Sequence, residues 1–134
     1  MTTTATKKLK LERALATKSG RRPYLPRRGD VVWLTFDPQA GHEQAGRRPA
    51  VVLSPANYND RSSLALVVPL TKQVKGYPFE VPLPVSFPIK GVALADQLKS
   101  LDWRARNAEF IGTLPELITK EIISRARLLL APAG

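Results

Sequence analysis

The chain has 134 residues, 43% of them hydrophobic, with no cysteine, one histidine and a formal net charge of +10. That length suggests one domain with enough apolar residues to build a core. Without cysteines there is no disulfide framework, thiolate nucleophile or cysteine zinc site, and one histidine gives no His pair for zinc, so neither a metal nor a cofactor is expected.

The charge is concentrated at one end. Residues 1–28 carry nine lysines and arginines against the single acid Glu12, whereas residues 29–134 are close to balance. Within the basic stretch, Lys7 to Thr17 reads as a short amphipathic helix through Leu9, Leu11, Leu15 and Ala16. Ser19-Gly20 breaks it, and Pro23 and Pro26 keep the link extended. Residues 1–27 are therefore read as a basic, flexible arm, and residues 28–134 as the compact domain. Such an arm raises nucleic-acid affinity without sequence preference; the same composition also suits a solubilising leader. The N-terminus lacks the apolar segment of a secretory signal, and no run of about eighteen apolar residues exists, so a cytoplasmic protein with no membrane span is expected.

Val31–Phe36 reads as a strand, with Val31, Trp33 and Thr35 on one face and Val32, Leu34 and Phe36 on the other. Asp37-Pro38 ends it. A polar loop over 39–48 leads into a buried strand over 50–54. Residues 55–60 are turn-rich, with room for one helical turn. Leu64–Pro69, Val81–Val85, Gly91–Leu94 and Phe110–Leu114 read as further short strands, the intervening prolines favouring edges and loops. Pro115-Glu116 opens a helix, with proline near its first position and an acid in the first turn. Leu117, Ile118, Ile122, Ile123, Ala126, Leu129 and Leu130 then recur at helical spacing. Short strands closed by one terminal helix point to a mainly β fold, a small, partly open antiparallel barrel with a C-terminal α-helix.

The loop from Gly41 to Arg48 holds one carboxylate, the only histidine and two arginines. An acid, a base candidate and two guanidiniums suit chemistry on a phosphate, which Arg matches bidentately. A solvated hairpin tip is the other reading of the same residues.

Several blocks in order carry a resemblance. They are Gly29-Asp30-Val31-Val32-Trp33, Asp37-Pro38, Gly41-His42-Glu43-Gln44-Ala45-Gly46-Arg47-Arg48-Pro49-Ala50-Val51-Val52, Ser54-Pro55 and Tyr58-Asn59. Val68-Pro69-Leu70-Thr71, Lys75-Gly76-Tyr77-Pro78-Phe79-Glu80, residues 91–100 and Asp102-Trp103-Arg104-Ala105-Arg106 continue the series. Over roughly residues 28–130 the chain resembles the MazF/PemK family of bacterial toxins, closer to the MazF branch. The resemblance implies a homodimeric SH3-like barrel that cuts single-stranded RNA, chiefly mRNA, at short motifs and without metal. It implies 2′,3′-cyclic phosphate and 5′-hydroxyl products. It also implies a cognate antitoxin, acidic and partly disordered, as partner.

By the same resemblance Glu43 is the general base, Arg48 the clamp on the scissile phosphate, and Thr71 a hydroxyl that bonds the phosphate or orients Arg48. His42 and Asp96 match two members of a PemK-type histidine, arginine and aspartate set, but Leu94 stands at the arginine's position, which argues against the full set. His42 retains an intrinsic pKa suited to proton donation. RNA bases need stacking surfaces and edge contacts. Gln44, Arg47, Asn59, Lys72, Lys75, Tyr77, Gln97 and Lys99 are the candidates. Trp33 and Trp103 are read as core or dimer-interface residues.

Two rivals stand beside this reading. One is a non-catalytic toxin of CcdB type, which holds a protein target such as DNA gyrase. The other is a catalytically weak RNA-binding protein whose basic arm does most of the binding. Deleting residues 1–27 is expected to leave folding and the cut motif unchanged and to flatten the salt dependence of RNA binding, because each neutralised phosphate releases counterions. Titration of RNA binding across a salt series, with and without the arm, measures it; equal slopes would reduce the arm to a leader.

Overall fold

The structure is a computed structural model that describes residues 23–36 and 46–131. Strand β1 (Asp30–Thr35) is rich in β-branched and aromatic residues, which suit a pleated, packed surface. It pairs with β2 (Arg47–Val52) on one edge and with β7 (Glu109–Thr113) on the other. Strand β2 pairs with β3 (Leu64–Thr71), which in turn meets β5 (Val92–Leu94) and β6 (Lys99–Asp102). β4 (Glu80–Pro82) lies outside β5. The sheet order is β4-β5-β3-β2-β1-β7, with β6 also on β3, and all pairs are antiparallel. Helix α1 (Ala56–Ser62) joins β2 to β3, and α2 (Glu116–Leu128) follows β7. Among the described residues no pairing joins β4 to β7, so the sheet curls into a barrel that stays open, as the sequence led us to expect.

The eight residues of β3 organise the curl. On one edge Val67–Pro69 pair with β2. On the other, Leu64–Val67 pair with β6, and Leu70 and Thr71 pair with β5. Val68 and Pro69 fall between these two partners. Proline has no N–H to donate to a ladder, so it fits where an edge changes partner. A second irregularity lies across the sheet, where the register of β1 with β7 shifts between Val31 and Val32. Such bulges bend a strand and increase its twist.

Alternate residues enter two separate cores. Val31, Val51 and Val68 pack with Leu70, Val81, Phe87, Leu114 and Ile122 of α2. Val32, Leu34, Ala50, Val52 and Val67 pack with Tyr24 and Trp103 on the opposite face. Trp103 is thus a core residue, and its indole donates to the Asn59 carbonyl at 2.9 Å. Trp33 is only half-buried.

The described segment before β1 belongs to the fold. Tyr24 and Pro26 are buried, and the Tyr24 hydroxyl donates to the fully buried Asp30 carboxylate at 2.6 Å. Asp30 also accepts from the Arg27 backbone N–H and the Thr113 hydroxyl. Tyr24 and Pro26, on the arm side of the boundary drawn between residues 27 and 28, thus pack on the domain, because an aromatic ring with a polar tip meets both a core and a carboxylate there. A truncation that spares this packing has to keep Pro23 onward.

Other differences have local causes. β6 escaped the periodicity because Lys-Ser-Leu-Asp holds one apolar residue; its pairing with β3 makes it a strand. Asp102 at its end accepts from the Ala105 N–H, chiefly, and from the Ser63 hydroxyl, which holds its carboxyl below the usual range. α1 is longer than one turn, yet its only buried residue is Asn59, so no apolar stripe announces it. β4 stops at Pro82 rather than Val85, and β2 begins at Arg47, three residues before the expected start. Among the described residues no helix is long and apolar enough to cross a membrane.

Candidate active site

A cavity of about 240 Å³ opens where β2 begins and β3 and β5 end. Its walls come from Arg48, Pro69, Leu70, Thr71, Leu94, Asp96 and the loop between β3 and β4. Arg48 and Thr71 meet there because of strand register. Ala50 lies opposite Pro69, and continuing that antiparallel register sets Arg48 against Thr71. Arg48 sits in a paired strand across from Leu34, is exposed, and makes no hydrogen bond or ion pair with another described side chain. A guanidinium carried on a paired strand, with no bond to any other described side chain, is suited to an anion.

Arg47, its neighbour, faces the other way, as alternation along a strand requires. Its guanidinium donates to the Thr35 hydroxyl at 3.1 Å and the Asn107 carbonyl at 2.8 Å, and pairs with Glu109 at 3.1 Å. Expected at the substrate, Arg47 instead ties β2 to the β6–β7 connection.

Thr71 is half-buried and pairs with Val92. Its hydroxyl accepts from the Gln73 N–H at 3.1 Å, which turns the chain out of β3. Gly91 approaches from β5 so closely that a Cβ there would lie 2.0 Å from the Thr71 carbonyl oxygen, and its φ is +115°. Only glycine permits both. Asp96 and Gln97 sit in the turn after β5, closed by the Gln97 N–H to the Leu94 carbonyl at 3.0 Å, and both line the cavity. Lys75 and Tyr77 line it from the opposite loop.

The structure therefore gathers Arg48, Thr71, Asp96, Gln97, Lys75 and Tyr77. Lys72 and Lys99 are exposed but do not line the cavity; Lys99 pairs with Val67, on the β6 side of β3. Asn59 is fully buried and cannot meet a base. Its amide donates to the Pro26 and Ser54 carbonyls and accepts from the Ser54 hydroxyl, so it bolts α1 to the sheet and the N-terminal segment. His42, Glu43 and Gln44 lie outside the described residues.

A charged lining residue had no assigned role. Glu80 is buried at the start of β4, and its carboxylate accepts the backbone N–H groups of Lys75 and Gly76. The signal in the sequence was an acid placed between Phe79 and Val81, where a strand buries its side chains.

Comparison with known proteins matches residues 27–130 to a family described as PemK-like, MazF-like toxin of type II toxin–antitoxin system. The endoribonuclease toxin MazF of Escherichia coli K12 is 57% identical over 91 residues, covering 68% of this chain and 81% of that protein. The endoribonuclease PemK of Escherichia coli is 35% identical over 107 residues, covering 77% and 80%. Among solved structures, MazF from Deinococcus radiodurans superposes with a TM-score of 0.73 at 51% identity, over 80% of this chain and 97% of that one. A MazE–MazF complex from the same organism gives 0.72 at 44% identity, over 82% and 99%.

Because Asn59 is an internal bolt, Asn59→Ala is expected to destabilise the fold by about 2 kcal/mol, the scale of leaving buried partners unsatisfied. Denaturant unfolding checks it, with RNA affinity of the folded fraction unchanged. A selective loss of affinity at full stability would return Asn59 to the substrate surface.

Proposed function

The chain belongs to the PemK-like, MazF-like toxin family of type II toxin–antitoxin systems, and from that membership we propose how its cavity does the work of an endoribonuclease. The protein is an endoribonuclease toxin, and a cognate antitoxin is its partner. The substrate is single-stranded RNA, chiefly mRNA, cut at short motifs. The 2′-hydroxyl attacks the adjacent phosphorus, the 5′-oxygen leaves, and the ends are a 2′,3′-cyclic phosphate and a 5′-hydroxyl. No metal takes part in the reaction we propose.

The observation that supports this best is Arg48, bonded to no other described side chain and set against Thr71 at the cavity wall. Charge accumulates on the non-bridging oxygens as phosphorus becomes five-coordinate, and a preorganised cation is worth most at that moment. Arg48 fills this role. It is a poor acid, because its pKa stays above about 12. Thr71, already accepting from Gln73, keeps its hydroxyl hydrogen for a phosphate oxygen or another acceptor. Glu43 takes the 2′-hydroxyl proton. His42 supplies the proton to the leaving oxygen, and Asp96 holds a donor in position, a role supported by its exposure at the cavity edge.

We place the toxin in the cytoplasm, as a homodimer; α2 and the turn after it leave Leu117, Leu128, Leu129 and Leu130 exposed, apolar surface that a second copy would cover. The antitoxin is acidic and partly disordered, which suits a chain of net charge +10. The basic arm adds RNA affinity through phosphates without choosing the motif.

Incubation of purified protein with single-stranded RNA in excess EDTA, followed by end-group analysis, tests the reaction class. Cleavage with cyclic phosphate ends is expected, and loss of cutting in EDTA or 3′-hydroxyl ends would overturn it. Arg48→Ala is expected to lower kcat about 10²–10³-fold, the scale of one lost oxyanion donor. Arg48→Lys should cost less, since it keeps the charge and loses the fork. Glu43→Gln should lower kcat by about 10²–10⁴-fold with the fold intact; near-normal turnover there would pass the base role to His42.

A further inference from the structure

The loop between β3 and β4, residues 72–79, has no strand partner. Residues 72–78 are exposed, yet the loop supplies Gln73, Lys75 and Tyr77 to the cavity. Tyr77 is 56% exposed, a large ring held in solvent, and the Lys75 ammonium stands 5.9 Å from its centroid. An exposed aromatic face beside a cation is what an unpaired base and its phosphate would meet. The loop's shape therefore needs a cause.

The cause lies in one carboxylate. Glu80 is 7% exposed, and its oxygens accept the Lys75 N–H at 3.0 and 3.2 Å and the Gly76 N–H at 2.9 Å. The Glu80 N–H returns to the Tyr77 carbonyl at 3.1 Å, closing the turn around the side chain. Gly76 takes φ +86° in the middle, with open space where a Cβ would lie. From outside, Arg125 of α2 donates to the Pro78 carbonyl, its Nε held by Glu121 at 2.6 Å. Successive backbone N–H groups in a turn form a concavity that binds anions. Here the protein's own anion fills it. A phosphate is thereby denied that concavity, which leaves the side chains of Arg48 and Lys75 as the cations at the cavity wall.

We propose that Glu80 is a positioning residue for RNA: it fixes the 72–79 loop so that Lys75 and Tyr77 are set for the nucleotides flanking the scissile phosphate before substrate arrives. The inference rests on the endoribonuclease reading of the cavity. Ordering a loop in advance removes that entropy cost from binding. Loosening it acts on ground-state binding and on the choice of bases, while the groups at the phosphate stay in place.

The test compares wild type, Glu80→Gln and Gly76→Ala in the full chain. Glutamine can satisfy one N–H but presents an amide to the other. Alanine at Gly76 strains the left-handed turn, and with it the N–H that meets Glu80, without replacing the carboxylate or filling occupied space. Steady-state cleavage, sequencing of the cut ends and thermal melting are read together. Binding of a 2′-deoxy-substituted oligonucleotide is measured by anisotropy. Both variants are expected to raise KM about tenfold and to broaden the cut motif, with kcat changed by less than about threefold, the split of a lost binding contact. Unchanged KM and motif in both would overturn the proposal. So would a collapse of kcat at constant KM in Glu80→Gln, which would make Glu80 an acid–base group. If Glu80→Gln does not fold, Gly76→Ala alone decides. If wild type fails to cut RNA, the endoribonuclease reading falls, and the anisotropy arm still shows whether the loop needs Glu80 to bind it.

Discussion

Strand β3 is the constraint on which the rest of the molecule hangs. It is bound along one edge by β2 and along the other by β6 and then β5. A strand with three partners cannot stay flat, and the sheet curls at the step where Pro69 leaves the edge without a donor. The cavity lies at the far end of the same strand. Thr71 ends β3, β5 delivers the Asp96–Gln97 turn beside it, and β2 brings Arg48 across from it. The loop that carries Lys75 and Tyr77 begins where β3 stops. One pairing pattern therefore both curls the sheet and gathers the residues that line the cavity.

Around that frame, buried polar groups do the fastening. Asp30 joins the segment before β1 to β7, and Asn59 joins the same segment to α1 and to the turn after β2. Each is fully buried, and the carboxylate and the amide are both engaged in several hydrogen bonds. Removal of one member leaves its partners unmet in a dry interior, which makes such groups more sensitive than their small size suggests. They are also far more directional than the valines around them. The two apolar cores hold the layers together, and the polar fasteners hold them in one arrangement.

Much of this was legible in the chain. The strands rich in valine, the terminal helix and the phosphate-suited arginine came from residue pattern and from ordered blocks resembling one family. What escaped had weak local signals. β6 and α1 are mostly polar, so their existence depends on partners distant in sequence. Tyr24 was hidden by the proline-flanked, basic stretch around it. Asn59 looked like a surface amide in a turn because short-range sequence cannot tell a turn that faces water from one that faces a sheet. Arg47 and Arg48 differ in nothing but parity, and parity is settled only by register.

That parity has a further consequence for how this family of folds can drift. Strand β2 is apolar toward both cores, Ala50 and Val52 to one and Val51 to the other. A slip of one residue would exchange apolar for apolar, so hydrophobicity is nearly blind to the error. Arg47 is not blind to it: its guanidinium reaches Thr35, Glu109 and the carbonyls of Arg106 and Asn107 from a single position. It acts as an index pin, and the aim of Arg48 follows from it. The pin sits inside the paired strand, so the facing of Arg48 toward the cavity is settled by strand register and by the partners of its neighbour, not by apolar burial.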